Sequence, residues 1–429
     1  MMISVERLAK SFFSSRFNIN VLWNLGSLGI LAASGILING LILAQYNALV
    51  LGVFNQVFAF YTILSQFAVG GVHLSVLQKV SHNPHDLLKC GKILNAALLI
   101  VLGLSAPLVI ILTMSASTIG DVLQSPDVGV GIVVIAPGLV FFSLNKVLVS
   151  FINGLQRMRA YAIFQALRYI LIMMYIVMII ILKIDPIYLP LALTFAELTL
   201  FLITAGYIFI HIVPFFVKGT HYVIPHLSFG IRGIGSGVLL AFNTRVDVLM
   251  LGWYLNDTAV GVYSFAAILI EGFAQIPVIL RYNIDPLLGK HFADNALSQI
   301  EALSRQIRRY FVPIMLALGA IGSLAYPVIL YVLSDSIDLQ SSWTVFIVLA
   351  CSVIIASTVT PFRGIFLQSV RPGLFTILII VLILNNLVLN VLLIPLFGLM
   401  GAAFATASTN ILEMFLLFRL SRRYLNIKL

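Results

Sequence analysis

Five ionisable residues lie deep inside long apolar stretches of this sequence, where a charged side chain is costly. They are Arg168, Glu197, Arg245, Asp247 and Glu271. A charge at the centre of a membrane helix costs about 2.5–3.5 kcal/mol on insertion scales, so it normally faces protein groups or a water-filled cavity. A guanidinium in that setting can hold an anion through paired hydrogen bonds, and a carboxylate can take up a proton or a cation. The pattern therefore predicts binding chemistry inside a membrane.

The composition excludes an ordinary soluble protein. Of the 429 residues, 61% are hydrophobic and 9% are charged, and the mean hydropathy is +1.10. Soluble domains average roughly 45–50% apolar and 25% charged residues. The net charge of +10 is spread over short segments, so nucleic acid is not an expected partner. Two isolated cysteines, and His82 and His85 without a third ligand, predict neither disulfides nor a metal site or cofactor.

The apolar segments predict an all-α, polytopic membrane protein with about twelve transmembrane helices. Crossing the hydrocarbon core of about 30 Å takes about 20 apolar residues in a helix. The segments that meet this requirement are 19–43, 48–76, 92–114, 129–150, 160–182, 187–210, 228–254, 261–287, 310–333, 342–368, 373–395 and 399–420. The second has a softened apolar pattern because it carries Asn55, Gln56 and Gln66.

The positive charges predict that both termini are cytoplasmic, since lysine and arginine are retained on that side of a membrane. With these spans, all but three of the 25 lysines and arginines fall in cytoplasmic segments or at the inner ends of spans. The exceptions are Lys183 in an outer loop and the deep residues Arg168 and Arg245. The segment before the first span predicts a short interfacial helix, and residues 291–310 predict an amphipathic helix that rests on the inner leaflet.

The sequence repeats itself at an offset of about 209 residues. LILAQYNA…LGVF (41–54) matches LMLGWYLNDTAVGVY (249–263), which aligns Gly52 with Gly261, and Pro186 lies 209 residues before Pro395. Six spans per repeat is an even number, so both repeats enter the membrane in the same orientation. We therefore predict two lobes, 1–222 and 223–429, as a parallel repeat related by an axis along the membrane normal. Transporters with such repeats bind substrate between the halves.

Arg245 and Glu271 fall at similar depths on consecutive predicted spans. At about 1.5 Å per residue, both lie ~14 Å below the outer surface, near the bilayer midplane. Three interpretations stay open: an ion pair that joins two helices, a cavity site where Arg245 contacts an anion and Glu271 is its partner or a protonation site, or a placement that faces the lipid. Asp247 points to a different side of its helix, and we expect it to neutralise another neighbour or to couple to an ion.

Other polar residues of the spans are candidate contacts of the same cavity. Arg168 lies about 11 Å above the inner end of its span, where it can reach the headgroups, pair with Glu197 or line the cavity. Arg281, near the inner end of the eighth span, can contact a ligand headgroup at the cavity mouth or extend to the lipids. Asn243 and Gln275 are candidate ligand contacts, although such amides more often join helices by hydrogen bonds.

Four segments together resemble bacterial polysaccharide repeat-unit flippases, the O-antigen transporters of the multidrug/oligosaccharidyl-lipid/polysaccharide exporter superfamily. They are LGVFNQVFAFYTILSQFAVGGVHLSVLQKVSH, NGLQRMRAYAIFQALRY, VDVLMLGWYLNDTAVGVYSFAAILIEG and LNVLLIPLFGLMGAAFATAS. The resemblance implies two six-helix lobes around a central cavity, in the bacterial inner membrane. It implies a cargo of oligosaccharide on undecaprenyl pyrophosphate, carried from the cytoplasmic to the periplasmic leaflet by alternating access. It further implies coupling to H⁺ or Na⁺ and contact with membrane lipids and other polysaccharide-assembly membrane proteins.

Other functions fit the sequence less well. A cation-coupled small-molecule or multidrug antiporter of the same superfamily would carry an acid-lined cation site in its N-terminal lobe, where Glu197 is the only deep acid. A major-facilitator transporter would carry a G-x-x-x-D-R loop between its second and third spans, where KVSHNPHDLLK stands. A membrane enzyme such as a polymerase or ligase would need a large outer loop with catalytic residues. The outer loops are short, so we predict a transporter and not an enzyme.

Overall fold

The computed structural model describes residues 16–214, 219–333 and 339–429, and the regular structure of these residues is helical. The helices of the first half are α1 Arg16–Gln45, α2 Ala48–Val69, α3 Val72–His82, α4 Leu87–Val122, α5 Pro126–Gly154, α6 Met158–Ile181 and α7 Leu191–His211. Those of the second half are α8 Val223–Tyr254, α9 Asp257–Ala293, α10 Leu297–Gln306, α11 Val312–Leu333, α12 Leu339–Ala356, α13 Ile365–Gln368, α14 Pro372–Phe397 and α15 Leu399–Leu425. The prediction of an all-α fold is confirmed. The predicted interfacial helix falls mainly on residues 1–15, outside the described residues.

Ten helical segments of the described chain are long and apolar enough to cross a membrane. An eleventh results if Ser341–Ala356 and Thr360–Gln368, which meet at a 50° bend, are counted as one broken span. The segment Gly29–Gln45 is apolar but shorter, and it occupies the position of the first predicted span. The chain is a multi-pass membrane protein. About twelve spans were predicted, and the difference from ten comes from the first predicted segment, which is shorter in the described chain, and from the tenth, which is bent.

Side-chain caps fix where several helices begin. Asp86 accepts a hydrogen bond from the backbone N–H of Lys89 at 2.9 Å, immediately before α4. Asn256 accepts one from the N–H of Ala259 at 2.9 Å, immediately before α9. The first N–H groups of a helix lack partners within the helix, and such caps supply them. With their first N–H groups capped in this way, long apolar helices can begin directly after short connections.

The second predicted span, 48–76, is two helices and not one. α2 ends at Val69 and α3 begins at Val72, because Gly70 and Gly71 take left-handed φ values of 55° and 69°. Glycine adopts such values readily because it has no Cβ. A Cβ on Gly71 would also lie 2.6 Å from the carbonyl oxygen of Gly230, so α8 crosses this break in direct backbone contact.

The described residues pack as two compact units. The first contains the described residues up to Ile38 together with Gln56–Arg245, and the second contains Asn39–Asn55 together with Val246–Leu429. This division differs from the predicted lobes, since residues 223–245 pack with the first unit and 39–55 with the second. As a consequence, α8 contributes Arg245 to the first unit and Asp247 to the second.

In the first unit, α5 is the central helix and packs against α3, α4, α6 and α7. Its approach to α7 is close because it carries a glycine there: a Cβ on Gly138 would lie 2.8 Å from the Thr194 hydroxyl oxygen. Small residues allow membrane helices to approach at backbone distance. This approach brings polar side chains of α5 and α7 together one to two turns further along.

In the second unit, α15 packs against α12 and α14, and α9 packs against α12. A hydrophobic cluster at one end of this unit includes Ile284, Phe362 and Leu417. The predicted amphipathic helix of 291–310 is α10, whose Ile300 is fully buried in this cluster, with Leu303 packed against it. The prediction that this helix rests on the lipid is wrong for its apolar face, which covers protein instead.

The internal repeat has a reciprocal contact within the second unit. A Cβ on Gly52 would lie 1.7 Å from the carbonyl oxygen of Asp257, and a Cβ on Gly261 would lie 1.8 Å from that of Ala48. Both glycines, and both carbonyl residues, are separated by 209 residues in the sequence. The two contacts therefore exchange under the repeat, as they do at a two-fold axis.

Candidate functional site

The first polar cluster lies in the first unit and contains the ion pair of Arg168 with Glu197. Arg168 Nε lies 2.8 Å from Glu197 Oε1, and the two side chains are 8% and 1% exposed. Asn145 of α5 donates to Glu197 Oε2 at 2.7 Å and to the Glu197 carbonyl oxygen at 2.8 Å. The sequence left this pairing open among three alternatives, and the structure brings the two residues together.

Aromatic and basic groups surround this ion pair. The Arg168 guanidinium carbon lies 4.8 Å from the centre of the Phe142 ring, which contacts Tyr61 edge-on at 5.5 Å. The Tyr61 phenol and the Lys146 ammonium are each within electrostatic range of both members of the pair. Arg168 Nη2 is buried and donates to no residue that the structure describes. The cluster thus has more cationic than anionic groups and a donor left for a ligand.

Arg245 and Asn243 also belong to the first unit. The Arg245 guanidinium carbon lies 5.2 Å from the centre of the Phe58 ring, a cation–π distance. Tyr169 is within electrostatic range of both Arg168 and Arg245, so this part of the unit carries a concentration of positive charge. The Asn243 side-chain oxygen is buried and accepts no hydrogen bond from the described residues. Glu271 lies on α9 in the second unit, and its predicted pairing with Arg245 stays a prediction.

The second polar cluster, in the second unit, surrounds Asp247 with neutral donors. Tyr263 of α9 donates to Asp247 Oδ2 at 2.9 Å, and Thr406 of α15 donates to the same oxygen at 2.5 Å. Asn390 of α14 donates to Asp247 Oδ1 at 2.7 Å. Asp247 was expected to neutralise a charged neighbour, but each of its hydrogen-bond partners among the described residues is uncharged.

Two further oxygens lie next to this carboxylate. Asn386 receives the Asn390 side-chain N–H on its own side-chain oxygen at 3.1 Å. The side-chain oxygen of Asn390 is buried and accepts no hydrogen bond within the described residues. Carboxylate, hydroxyl and amide oxygens are the ligands that hard cations prefer. The Asp247 cluster can therefore take up a proton or a small cation.

The first repeat has a neutral counterpart of this cluster, also packed in the second unit. Asn55 donates to Asn39 at 2.8 Å across sixteen residues of sequence, the same separation as between Tyr263 and Asp247. Asn39 precedes LIL of the first repeat by two residues, as Asp247 precedes LML of the second. The duplicated position is therefore an amide in one repeat and a carboxylate in the other.

The remaining predicted site residues, Arg281 and Gln275, lie on α9 in the second unit. Arg281 forms an ion pair with Asp285, one turn along α9, at 3.5 Å, and its predicted contact with a headgroup stays a prediction. Gln275 is partly buried on the same helix. Near the end of the unit that holds the hydrophobic cluster, Arg363 pairs with the buried Glu413 through two hydrogen bonds.

Sequence reasoning missed several residues of both clusters. Lys146 was counted among the inner ends of the spans, yet it lies eight residues before the end of α5, at about 12 Å. Arg168 lies ten residues from the matching end of α6, at about 15 Å, so similar depth was a signal that could have joined them. Tyr263, Asn390 and Thr406 carried no such signal, since hydroxyl and amide residues are common in membrane helices.

Comparison with solved structures gives the fold. The chain is similar to an inward-facing multidrug resistance MATE family transporter of the MOP superfamily, with a TM-score of 0.77, 15% identity and coverage of 92% of this chain and 94% of that one. It is similar to the lipid II flippase MurJ in an inward closed conformation, with a TM-score of 0.71, 14% identity and coverage of 94% and 87%. A MOP superfamily transporter from Pyrococcus furiosus matches with a TM-score of 0.59, 14% identity and 94% of both chains covered.

Sequence comparison gives the family. A comparison with curated protein sequences found no match. The profile of the family described as "Polysaccharide biosynthesis protein" matches residues 47–273, which include both residues of the Arg168 pair as well as Arg245, Asp247 and Glu271. The matched region is more than half of the chain. With its polar clusters held inside apolar helices and its fold that of MOP transporters, the chain belongs to the polysaccharide biosynthesis protein family.

Proposed function

We propose that this protein is a flippase for lipid-linked oligosaccharide in the bacterial inner membrane. It carries undecaprenyl-pyrophosphate-linked repeat units, such as those of O-antigen, from the cytoplasmic to the periplasmic leaflet by alternating access. The observation that carries the proposal is the concentration of positive charge in the first unit, where Lys146, Arg168 and Arg245 accompany Glu197, the one deep acid among the described residues of that unit. A pyrophosphate is the anionic group of such a cargo.

The chemistry of these groups suits a pyrophosphate. Arginine presents a planar set of donors that matches phosphate oxygens and stays protonated at any physiological pH. Buried charged donors without partners are costly, so Arg168 Nη2 favours an anionic ligand. Asn243 offers a buried acceptor in the same unit for a sugar hydroxyl. Arg281 and Gln275 are proposed contacts of the same cargo.

The proposed energy source is a proton or sodium gradient acting at Asp247. Its cluster has one formal negative charge and only neutral partners among the described residues, so binding a proton or cation removes an unbalanced buried charge. Both termini are proposed to be cytoplasmic, and other polysaccharide-assembly membrane proteins are proposed partners.

The alternative is a cation-coupled multidrug antiporter. An antiporter of that type would use an acid of the first unit as its cation site. Glu197 holds Arg168 and Asn145 at hydrogen-bond distance, which leaves its carboxylate committed to the protein. This arrangement favours the flippase over the antiporter.

Reconstitution tests the proposal directly. The purified protein in liposomes should move a fluorescent undecaprenyl-pyrophosphate oligosaccharide between leaflets faster when a proton or sodium gradient is imposed. Arg245→Lys keeps the charge but loses the paired donors, so cargo movement should fall about tenfold or more while the amount of folded protein is unchanged. Arg305→Lys is the matched control, because it makes the same change at an arginine of α10 that is 63% exposed.

A double variant separates a helix ion pair from a cargo contact. Arg245→Leu combined with Glu271→Leu removes both charges and leaves neither unpaired. The flippase proposal expects this variant to fold and to be inactive. Normal complementation of polysaccharide assembly by the double variant would contradict a cargo role for Arg245, and exchange of drugs but not of lipid-linked sugar would support the antiporter.

A further inference from the structure

A groove in the first unit lies between α3 and the first turns of α8, and the proposed transport site does not use it. Its volume is about 890 Å³. Its walls are formed by Leu74, Leu77 and Lys79 of α3 and by Ser228, Phe229 and Arg232 of α8. The groove is therefore largely apolar, with Gln78 and Ser228 as neutral polar groups and two cationic side chains, and neither wall contributes a carboxylate from the described residues.

The two helices that form this groove are held together by polar and backbone contacts. His226 of α8 is fully buried, with Nδ1 2.9 Å from the Ser75 hydroxyl and Nε2 3.2 Å from the Ile93 carbonyl oxygen. A carbonyl can only accept, so Nε2 carries the proton and Nδ1 accepts from Ser75. Together with the backbone contact of Gly71 with Gly230, these bonds hold α3 and α8 at a set separation, so the groove does not need a ligand to form.

The directions of the two cationic side chains follow from how the two helices pack. Gly71, immediately before α3, meets Gly230 of α8, and Ser75 of α3 meets His226 of α8, so the two helices run antiparallel. Side chains on a helix lean towards its N-terminus. Lys79 and Arg232 lie towards opposite ends of the groove and therefore lean towards each other. Arg232 Nε donates to the Ser228 carbonyl oxygen at 2.9 Å, which is the expected direction.

We propose that this groove binds an anionic phospholipid of the inner leaflet, with its phosphate between Lys79 and Arg232 and an acyl chain along Leu74, Leu77 and Phe229. The complementarity is twofold, since the cations match a phosphate and the apolar walls match a hydrocarbon chain. The Ser228 hydroxyl, which lies 3.5 Å from Arg232 Nη2, adds a polar group at the headgroup level. The bound lipid would fill the space between α3 and α8 whatever cargo the protein carries.

Native mass spectrometry of the full-length protein tests this site. Phosphatidylglycerol and phosphatidylcholine with the same acyl chains are titrated onto the purified protein in detergent, with inorganic phosphate as a competitor. Because each cation near an anionic headgroup contributes about 1 kcal/mol, the unchanged protein should bind phosphatidylglycerol about thirtyfold more tightly than phosphatidylcholine. Inorganic phosphate should not displace the lipid, since it cannot use the apolar walls.

Two variants and one control locate the site. Lys79→Gln with Arg232→Gln should reduce the preference for phosphatidylglycerol to about twofold or less. Gly233→Phe keeps both charges but fills the groove, and it should weaken both lipids. Lys290→Gln with Arg371→Gln removes two exposed cations elsewhere and should leave the preference unchanged. Equal binding of the two lipids, or an unchanged preference in the Lys79 and Arg232 variant, would overturn the proposal. It would also be overturned if undecaprenyl phosphate displaced the bound phospholipid far more readily than added phosphatidylglycerol does.

Discussion

Two deep carboxylates of this protein, Glu197 in the first unit and Asp247 in the second, are stabilised in opposite ways. In the first, Glu197 is matched by the Arg168 guanidinium, so the pair is neutral as a whole. In the second, Asp247 is held by the neutral groups of Tyr263, Thr406 and Asn390. The first arrangement fixes charge in place, whereas the second leaves one negative charge that a proton or cation can neutralise. A deep acid in a membrane helix therefore has no single role, because its partners determine what it does.

The internal repeat relates the positions of these two carboxylates to each other. Thr406, which donates to Asp247, lies 209 residues after Glu197 in the sequence, and Asn39 is the repeat counterpart of Asp247. Each repeat thus keeps one acid at this pair of positions but on different helices. One copy carries it on its sixth predicted span and the other on its first. The repeats share a fold and have diverged in where they place charge.

The largest expected effect comes from breaking the ion pair on one side. Glu197→Gln leaves Arg168 buried without its counter-ion, which typically costs about 3–5 kcal/mol. Thermal unfolding of the purified protein in detergent should show a large fall in midpoint temperature. Arg168→Gln combined with Glu197→Gln removes both charges and should recover most of the lost stability. If the single variant were as stable as the double variant, Glu197 would not be the group that neutralises Arg168.

An intermediate effect should come from the amides that serve each carboxylate. Asn390→Leu removes a neutral donor from a charged acceptor, which costs about 1.5–3 kcal/mol. Asn145→Leu should cost less, because the Arg168 guanidinium still neutralises Glu197. The two variants carry the same side-chain change, asparagine to leucine, and can be compared in one unfolding experiment. If Asn145→Leu were the more damaging, neutral donors would matter more to the paired acid than to the unpaired one.

The smallest effect on stability should come from Asp247→Asn. This change leaves no cation without a partner and removes a buried charge, so the free energy of unfolding should change by about 1 kcal/mol or less. Transport should nevertheless lose its acceleration by a proton or sodium gradient, as measured by leaflet exchange in liposomes with and without the gradient. An Asp247→Asn protein that still responds to the gradient would mean that coupling lies elsewhere.

Much of the fold could be predicted from the sequence because the lipid environment restricts the choices. A backbone in hydrocarbon must satisfy its own hydrogen bonds, so apolar stretches of sufficient length are helices, and their positions follow from composition. The breaks within the predicted spans were harder to predict from the sequence. The left-handed Gly70 and Gly71, and the 50° bend before Thr360, depend on how neighbouring helices pack, which an apolar pattern does not encode.

The sequence by itself determined which residues are costly, and the tertiary structure decided how each cost is met. Arg168, Glu197 and Asp247 stand out in any reading of the chain, since a charge in an apolar helix is expensive wherever the helix lies. Their partners come from helices far away in sequence, such as Thr406 for Asp247 and Asn145 for Glu197. Hydrogen bonds act over about 3 Å and depend on the rotation and spacing of packed helices, so only the folded chain could bring these groups together.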